Sequence, residues 1–423
     1  MKNHFPVIII GGGQAGLSMS HCLKTRGIDH LVFEKKRIAE SWRSQRWDTF
    51  CLVTPNWQCK LPGFEYQGKD LYGFMVKDEI VDFLEEYARS FQPPIREGVE
   101  VREITKDERT GMFEVQTNRG AYTCQQVVVA TGNFHFPALP NMAFSFPPDV
   151  LQIHSADYKN PESIRSGDIL VVGTGQSGCQ IAEDLHLAGR QVHLCVGNAP
   201  RTARRYRGKD VVEWLDQMGY YDMGIDEHPD KENVRDKTNH YVTGRDGGRD
   251  IDLRQFALQG MKLYGSLKDI NGTTLEFKED LGKNLDNADQ SSENIKKKID
   301  EFISAHHIEA PEEAPYTPAW KPSEEISALD YRKENIRSVI WCIGFGYDFT
   351  WIKLPVLDER GLPVHARGVT QTDGLYFLGL TWQYTWGSAR FSGVGRDADY
   401  LAEKISLGFH TPVHTETAAL EKL

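Results

Sequence analysis

A strand, a glycine-rich loop and a helix follow one another twice in this chain, and this repeat constrains the fold more than any other feature. The first copy begins with the β-branched strand pattern of Val7–Ile10 and continues through the loop Gly11–Gly16 into a helical pattern that ends before Gly27. A second buried strand, Leu31–Phe33, ends at Glu34. Such βαβ units are typical of dinucleotide-binding domains built on a parallel sheet.

Three glycines of the first loop fit the pattern GxGxxG, and each answers a different steric need. Gly11 permits the tight turn, Gly13 lets the backbone approach a pyrophosphate, and Gly16 allows close packing of helix and strand. The helix N-terminus then presents unpaired N–H groups to the phosphates. Glu34 stands 18 residues after Gly16, where an acid binds ribose hydroxyls. This unit therefore predicts a site for a dinucleotide with unphosphorylated ribose, as in FAD.

The second copy has the same order but a different ending. The strand pattern Asp168–Val172 leads through Gly173–Gly178 into a helix pattern, Cys179–Ala188, and then into the strand Gln191–Val196. No acid follows that strand. Arginines follow it instead, at Arg201, Arg204, Arg205 and Arg207.

The arginine cluster decides which nucleotide the second site is expected to take. An arginine can hold a 2′-phosphate that an acid would repel, so the cluster favours NADPH over NADH. The alternative is that some of these arginines form a solvated face or pair with nearby acids such as Asp210.

Composition limits the classes of function. The chain has 423 residues and a formal net charge of −11, which disfavours a nucleic-acid partner. No run of about 18 apolar residues is present, so no membrane span is expected. The N-terminus lacks the pattern of a signal peptide, and the seven cysteines contain no CxxC. We therefore expect a cytoplasmic protein with buried thiols and neither a metal site nor a redox disulfide.

Over nearly its whole length the chain resembles the flavin-containing monooxygenase family. The resemblance rests on both glycine loops and Glu34, and on further segments with the family's residues. These segments are Ser41-Trp42-Arg43, the linker Ala130–Pro137, His154 with Tyr158, and Gly379. The resemblance implies bound FAD and NADPH. It also implies that His154 and Tyr158 hold the linker between domains rather than act in catalysis.

The chain departs from the family in several places. Pro148 and Val150 replace the Phe-x-Gly that normally precedes the histidine, and Trp341–Gly344 replaces a second Ala-Thr-Gly. The chain also carries an unusual stretch, Thr243–Asp252, whose charges suit either an ionic substrate or internal salt bridges. These departures resemble a bacterial flavoprotein subgroup encoded beside nitrilases, which implies a small nitrogen-containing substrate.

The predicted fold class is α/β, with two Rossmann-like dinucleotide-binding domains arranged as in glutathione reductase. We expect the FAD domain to be discontinuous, with residues 1–160 as its first part and 346–423 as its second. The NADPH domain is expected at 161–345, with an insertion at about 208–330. Within that insertion the pattern predicts a hairpin at Asn271-Gly272 and an exposed helix over about 284–307.

The resemblance and the glycine loops together predict a set of cofactor-binding residues. They are Gly11, Gly13, Gln14, Ala15, Gly16, Glu34, Lys35, Trp42, Arg43, Val101, Ala130, Thr131, Gly132, Gly173, Gly175, Gln176, Ser177, Gly178, Arg201, Arg204, Arg205, Gly344 and Gly379.

The expected reaction is that of an FAD-dependent monooxygenase that consumes NADPH and O2 and oxygenates a small molecule through a C4a-(hydro)peroxyflavin. Asn56 is the expected catalytic residue, facing the flavin, although a turn asparagine after proline would look the same. Two alternatives stay open: an NADPH-dependent flavin oxidase or dehydrogenase, and a flavoprotein sensor without catalysis. A homodimer is one option for the oligomeric state.

Aromatic residues near the C-terminus are candidates for the wall of the substrate pocket, with core packing as the alternative. They are Trp382, Tyr384 and Trp386, accompanied by Arg390.

Overall fold

The computed structural model describes residues 3–409 of the 423, and these form two parallel sheets with helices packed on their faces. The strands, in chain order, are β1 (His4–Ile10), β2 (His30–Glu34), β3 (Lys60–Leu61), β4 (Phe64–Glu65), β5 (Ile95–Glu97), β6 (Val101–Lys106), β7 (Phe113–Thr117), β8 (Gly120–Val129), β9 (Phe136–Pro137), β10 (Leu151–His154), β11 (Asp168–Val172), β12 (Val192–Cys195), β13 (Arg205–Tyr206), β14 (Lys209–Asp210), β15 (Lys262–Tyr264), β16 (Leu267–Asn271), β17 (Thr274–Phe277), β18 (Ala328–Asp330), β19 (Ile336–Trp341), β20 (Phe345–Gly346) and β21 (Leu375–Phe377).

The α-helices are α1 (Gln14–Thr25), α2 (Glu40–Ser44), α3 (Lys77–Phe91), α4 (Gln176–Leu187), α5 (Val211–Gln217), α6 (Leu253–Leu258), α7 (Leu281–Ala305) and α8 (Val394–Gly408). Short 3-10 turns occur at Asn56–Gln58, Asn141–Ser145, Pro161–Ser163, Lys231–Asp236 and Arg245–Gly247. Between residues 3 and 409, no helix is both long and apolar enough to cross a membrane.

The first sheet has seven strands, in the order β5-β2-β1-β8-β7-β6, with β21 also pairing with β8. Strands β5, β2, β1, β8 and β21 run parallel, while β6–β8 form an antiparallel meander. The central strands are apolar throughout because both faces are covered. Helices α1, α3 and α8 cover one face, and the meander and residues 349–357 cover the other.

The second sheet has five parallel strands in the order β10-β19-β11-β12-β15. On one face α4 and the start of α7 contribute the buried residues. On the other face the hairpin β16–β17 packs with residues 142–150. Both predicted βαβ units are therefore present, and each stands at the centre of its own sheet.

The sheet pairing refines the predicted domain bounds. Strand β10 already belongs to the second sheet, so the chain crosses to that sheet before residue 151 rather than at 160. Strand β15 lies inside the predicted insertion but completes the second sheet. At the two crossings, β9 and β20 pair with each other and tie the crossing segments together.

The insertion has its own structured parts. The predicted hairpin is present: Asn271 pairs with Thr274, and Gly272, at a φ of 60°, and Thr273 form the turn that joins β16 to β17. Helix α7 covers the predicted exposed helix and extends it at the N-terminal end. Its second half packs on α5 in a small separate core that includes Trp214 and Ile299.

Candidate functional site: a cleft between two glycine loops

A cleft of about 1970 Å³ lies where the two sheets meet. Both glycine loops contribute to its lining, together with the crossing segments, one face of α7 and the part of the insertion around residues 220–240. The predicted site residues that line it are Gly11, Gly13, Gln14, Ala15, Glu34, Lys35, Trp42, Val101, Ala130, Thr131, Gly132, Gln176, Ser177, Arg204 and Gly379.

The first glycine loop has the close packing that a dinucleotide loop requires. A Cβ placed on Gly16 would lie 1.8 Å from the Gly11 carbonyl oxygen, so a larger residue there would break the contact between helix and strand. A Cβ on Gly13, in contrast, would meet nothing within 4 Å. The space above Gly13 and the N-terminus of α1 is therefore open for a pyrophosphate.

Glu34 ends β2 at the edge of the cleft. Its carboxylate accepts the Gly12 N–H at 2.7 Å and the Lys36 N–H at 2.8 Å, which fixes its orientation. Burial raises the pKa of Glu34, and the two N–H donors partly oppose that effect. Each carboxylate oxygen keeps a lone pair for a ribose hydroxyl, so the residues of this loop fit FAD.

The second loop repeats this design. A Cβ on Gly178 would lie 1.9 Å from the Gly173 carbonyl oxygen, whereas one on Gly175 would meet nothing within 4 Å. Gln176 and Ser177, at the start of α4, reach the cleft. The Gln176 side-chain amide donates to the Val242 carbonyl, which joins this loop to the insertion. The second loop thus fits the pyrophosphate of a second dinucleotide.

Each of the three predicted 2′-phosphate arginines already has a protein partner, and of the three Arg204 alone lines the cleft. Arg201 is buried, pairs with Asp289 at 2.7 Å and stacks on Tyr316 at 4.3 Å. Arg204 is also buried and binds Asp210 through Nε and a terminal nitrogen.

Arg205 does not line the cleft. It is exposed and hydrogen-bonds to the Gly247 carbonyl at 3.2 Å. The alternative that these arginines pair with acids such as Asp210 therefore holds for Arg201 and Arg204.

Two other predicted residues also turn away from the cleft. The Asn56 side chain is 3% exposed, donates to the Asp70 carbonyl at 2.9 Å and accepts the Met75 N–H at 2.9 Å. Its amide therefore holds a loop together, and the catalytic role expected for it is wrong. Arg43 points towards α3, where it pairs with Glu85.

Trp42, next to Arg43, does reach the cleft. Its indole N–H donates to the Gln14 side chain at 3.2 Å, and its ring stacks on Phe391. Trp42 thus connects the first glycine loop to the segment that precedes α8.

The two crossing segments are fixed by backbone contacts. His154 accepts the Ala156 N–H through Nδ1 and donates from Nε2 to the Gly344 carbonyl at 2.9 Å, which leaves its imidazole neutral. Burial lowers the pKa of His154, in agreement with that state. Tyr158 donates to Asp184 at 2.7 Å. His154 therefore connects the end of β10 to the second crossing segment, and Tyr158 connects the segment after β10 to α4.

The unusual stretch Thr243–Asp252 is a structural loop. Arg245 pairs with Asp184 at 2.8 Å and Arg249 with Glu183 at 2.7 Å, both on α4. Asp252 caps α6 by accepting the N–H groups of Arg254 and Gln255. Internal salt bridges, rather than an ionic substrate, account for these charges.

Arg46, Lys298 and Arg390 are the lysine and arginine residues that line the cleft without a carboxylate partner among residues 3–409, and Arg46 and Arg390 are the two whose pKa burial lowers. Sequence reasoning placed Arg390 near the pocket and missed Arg46. The Arg46 guanidinium lies 5.0 Å from the Trp42 ring and 5.6 Å from the Phe134 ring. Burial lowers the pKa of Arg46 to about 10, so its charge is stabilised chiefly by aromatic faces.

Across the described residues 3–409, no cluster of His, Cys, Asp and Glu side chains could hold a metal ion. All seven cysteines are buried free thiols, and burial raises the pKa of Cys51 to about 11 and that of Cys22 to about 12. Neutral buried thiols are poor nucleophiles.

Comparisons with known proteins agree with this geometry. Residues 8–291 match the model of the family described as pyridine nucleotide-disulphide oxidoreductase. The chain is 35% identical to "Uncharacterized oxidoreductase CzcO-like" from Geobacillus kaustophilus, over 96% of this chain and 99% of that protein.

Two further comparisons concern monooxygenases. Over 45% of the chain, the sequence is 34% identical to "Probable indole-3-pyruvate monooxygenase YUCCA1" from Arabidopsis thaliana, of which it covers 47%. The fold resembles the flavin-containing monooxygenase from Stenotrophomonas maltophilia, with a TM-score of 0.64 and 18% identity, over 96% of this chain and 99% of that one.

Proposed function

The chain belongs to the pyridine nucleotide-disulphide oxidoreductase family, and we propose that it is a monooxygenase that oxidises NADPH and inserts one oxygen atom of O2 into a small molecule. It is a flavin-dependent oxidoreductase, and its similarity to flavin monooxygenases supports the proposal. FAD and NADPH are its cofactors. The observation that carries the proposal is the opening of both glycine loops into one cleft.

The first loop holds FAD. Gly13 and the N-terminus of α1 receive the pyrophosphate, and Glu34 receives the ribose hydroxyls. When bound, FAD supplies the redox chemistry, which is hydride acceptance from NADPH and activation of O2. Trp42 and the segment from Gly379 to Ala389 enclose the neighbouring volume and shield it from water.

The second loop holds NADPH. Gly175 and the start of α4 receive its pyrophosphate, and the crossing segments Ala130–Gly132 and Phe345 lie between the two nucleotide sites. A reaction carried by the flavin requires no catalytic triad among the side chains of the cleft. Protein side chains orient the reactants and exclude water.

The substrate in this proposal is a small molecule, since the volume left beside two dinucleotides is limited. A nitrogen-containing compound is one class, and the keto acid named in the plant relative's description is another. A cytoplasmic location fits the seven unpaired thiols. A homodimer stays a prediction.

Rapid mixing of FAD-loaded protein with NADPH and then with oxygenated buffer tests the proposal, with the flavin spectrum as the readout. A persistent band of a C4a-(hydro)peroxyflavin is the expected result. Immediate reoxidation with one equivalent of hydrogen peroxide would indicate an oxidase instead. Failure of NADPH to reduce the flavin would refute both functions.

A further inference from the structure

One wall of the cleft is built from two segments that are far apart in sequence. Residues 379–393 connect β21 to α8, and residues 220–240 belong to the insertion. The Ile225 N–H donates to the Tyr384 carbonyl at 2.7 Å, and Arg235 donates to the Trp382 carbonyl at 3.2 Å. The insertion thus docks on the C-terminal segment, and the space between them opens into the cleft.

Arg390 lies on this wall, close to the first glycine loop. The preceding residue, Ala389, accepts a hydrogen bond from the Gln14 side chain at 3.3 Å, and Gln14 begins α1. The Arg390 guanidinium donates to the Trp386 carbonyl and, at 2.8 Å, to the Asn239 side-chain oxygen. It therefore stands between the C-terminal segment and the insertion, near the site expected for FAD.

The charge of Arg390 has no counter-ion. No carboxylate in the described part of the chain pairs with it. Arg235 of the same wall pairs with Glu232, and the arginines Arg367 and Arg396 of adjoining segments pair with Asp397 and Asp222. Burial lowers the pKa of Arg390 to about 10. Two of its five N–H groups have protein acceptors, so three can bind an anion.

The surroundings of Arg390 are aromatic. Its guanidinium lies 3.8 Å from the centre of the Trp386 ring, which fixes its plane. The Tyr221 ring packs on Trp386 with centres 4.8 Å apart, and Tyr220 packs edge-on against Tyr221. A ligand that brings an anionic group to Arg390 would place its remaining atoms against these rings.

We propose that Arg390 binds the carboxylate of the substrate, and that the substrate is a small organic acid with an aromatic or other apolar body packed against Trp386 and Tyr221. This inference rests on the proposed function, since it concerns the third participant in the same cleft. A planar guanidinium held by stacking binds a carboxylate through two parallel hydrogen bonds, and burial strengthens that pair. Asn239 positions the guanidinium from the insertion side.

Calorimetric titration of the oxidised, FAD-loaded protein tests the proposal without any turnover. The probes are benzoate, phenylacetate and 3-phenylpropionate, each compared with its own neutral amide. The acid of the best-fitting pair is expected to bind at least tenfold more tightly than its amide. Equal affinities of acid and amide in all three pairs would overturn the proposal.

Variants assign the effect to Arg390. Arg390→Met is expected to weaken binding of the acid at least tenfold and binding of the amide less than twofold. Asn239→Asp keeps Arg390 in place but gives it an internal carboxylate partner, so acid binding should fall at least fivefold. Asn233→Asp adds the same charge to the insertion outside the cleft and is the matched control.

If Arg390→Met does not load FAD, Asn239→Asp decides the question. Unchanged acid binding in both Asn239→Asp and Arg390→Met would refute the assignment. A loss of NADPH affinity in Arg390→Met with unchanged acid binding would also refute it, because Arg390 would then hold a cofactor phosphate. Failure of NADPH to reduce the wild-type flavin would refute the proposed function and leave the preference for acids over amides standing.

Discussion

Asp397, on the first turns of α8, is a carboxylate whose burial makes stability depend on pH. It is 1% exposed, and the Ser388 hydroxyl and Arg367, which lies 3.8 Å away, offset only part of the cost of its burial. Burial raises the pKa of Asp397 from 3.8 to about 6. The folded protein therefore binds a proton at Asp397 more tightly than the unfolded chain does. Protonation of Asp397 contributes to the free energy of unfolding below pH 4, and this contribution is lost as the pH rises through 6.

Asp397→Asn removes the cost of burying the charge. The variant should exceed the wild type in free energy of unfolding by about 3 kcal/mol at pH 8, with the difference shrinking towards pH 5, since one pKa unit corresponds to about 1.4 kcal/mol. Urea unfolding of the FAD-loaded protein at both pH values measures this. Asp82→Asn, an exposed change on α3, is the control. A variant less stable than the wild type at pH 8 would contradict the prediction.

The arginines after β12 give a second prediction. Arg204→Met leaves Asp210 buried without a partner and should cost about 3 kcal/mol of unfolding free energy, whereas exposed Arg205→Met should cost less than about 0.5 kcal/mol. Because Arg205 lies outside the cleft, Arg205→Met should leave the ratio of NADPH to NADH affinity unchanged. A selective tenfold loss of NADPH affinity would restore the role predicted from the sequence.

These residues show where sequence reasoning about the site stops. Glu34 reaches the cleft as its acidic side chain and its place at the end of β2 predict, because the strand itself sets the direction of a side chain at its end. Arg43 lies on the short helix α2 and Arg46 just after it, and tertiary contacts alone decide that Arg46 faces the cleft while Arg43 pairs with Glu85. The partner of Arg201, Asp289, lies 88 residues away on α7, and no local pattern connects them.

The glycine loops allow cofactor binding to be separated from folding. Gly13 and Gly175 have ordinary extended φ values and open space at the Cβ position, so alanine there should cost the cofactor-free protein less than about 1 kcal/mol. The added methyl group would occupy the volume of the pyrophosphate. Gly13→Ala should reduce FAD content, and Gly175→Ala should raise the Kd of NADP⁺ at least tenfold.

Absorbance of purified protein measures the FAD content, and titration with NADP⁺ measures the second effect. Gly178→Ala is the contrasting variant, since its Cβ would lie 1.9 Å from the Gly173 carbonyl oxygen and should prevent folding of the second sheet. Normal FAD content in Gly13→Ala would refute the pyrophosphate assignment at that loop.

Regular elements with a strong periodic or turn signal were predictable. The β16–β17 hairpin follows from Asn271-Gly272, and α7 follows from its polar, lysine- and glutamate-rich pattern. The segment from Ile251 to Tyr264 has no such signal and divides between two elements: α6 ends at Leu258, and β15 follows. Pairing of β15 with β12 at the sheet edge overrides local helical propensity there.

The two sheets act as one unit because the chain crosses between them twice and the crossings are braced. Strands β9 and β20 pair, and the Phe345 ring contacts Phe134 of the first crossing and His154 of the second sheet, with centres 4.8 Å apart in each case. A hydride passes between the cofactors only if the two glycine loops keep their separation. These contacts between the two crossings are therefore expected to affect the rate of flavin reduction more than they affect the affinity for either cofactor.

Phe345→Ala removes both ring contacts without touching a glycine loop. Flavin reduction by saturating NADPH should slow about tenfold, a loss of the size that small misplacements of reactants cause, while FAD content stays near that of the wild type. Stopped-flow absorbance of the flavin measures the rate. Phe144→Ala, at a ring that is 82% exposed, controls for the loss of an aromatic side chain. If Phe345→Ala is thermally destabilised but reduces its flavin at the wild-type rate, this ring contributes packing alone. The separation of the two sites would then depend on the β9–β20 pairing and the His154–Gly344 hydrogen bond.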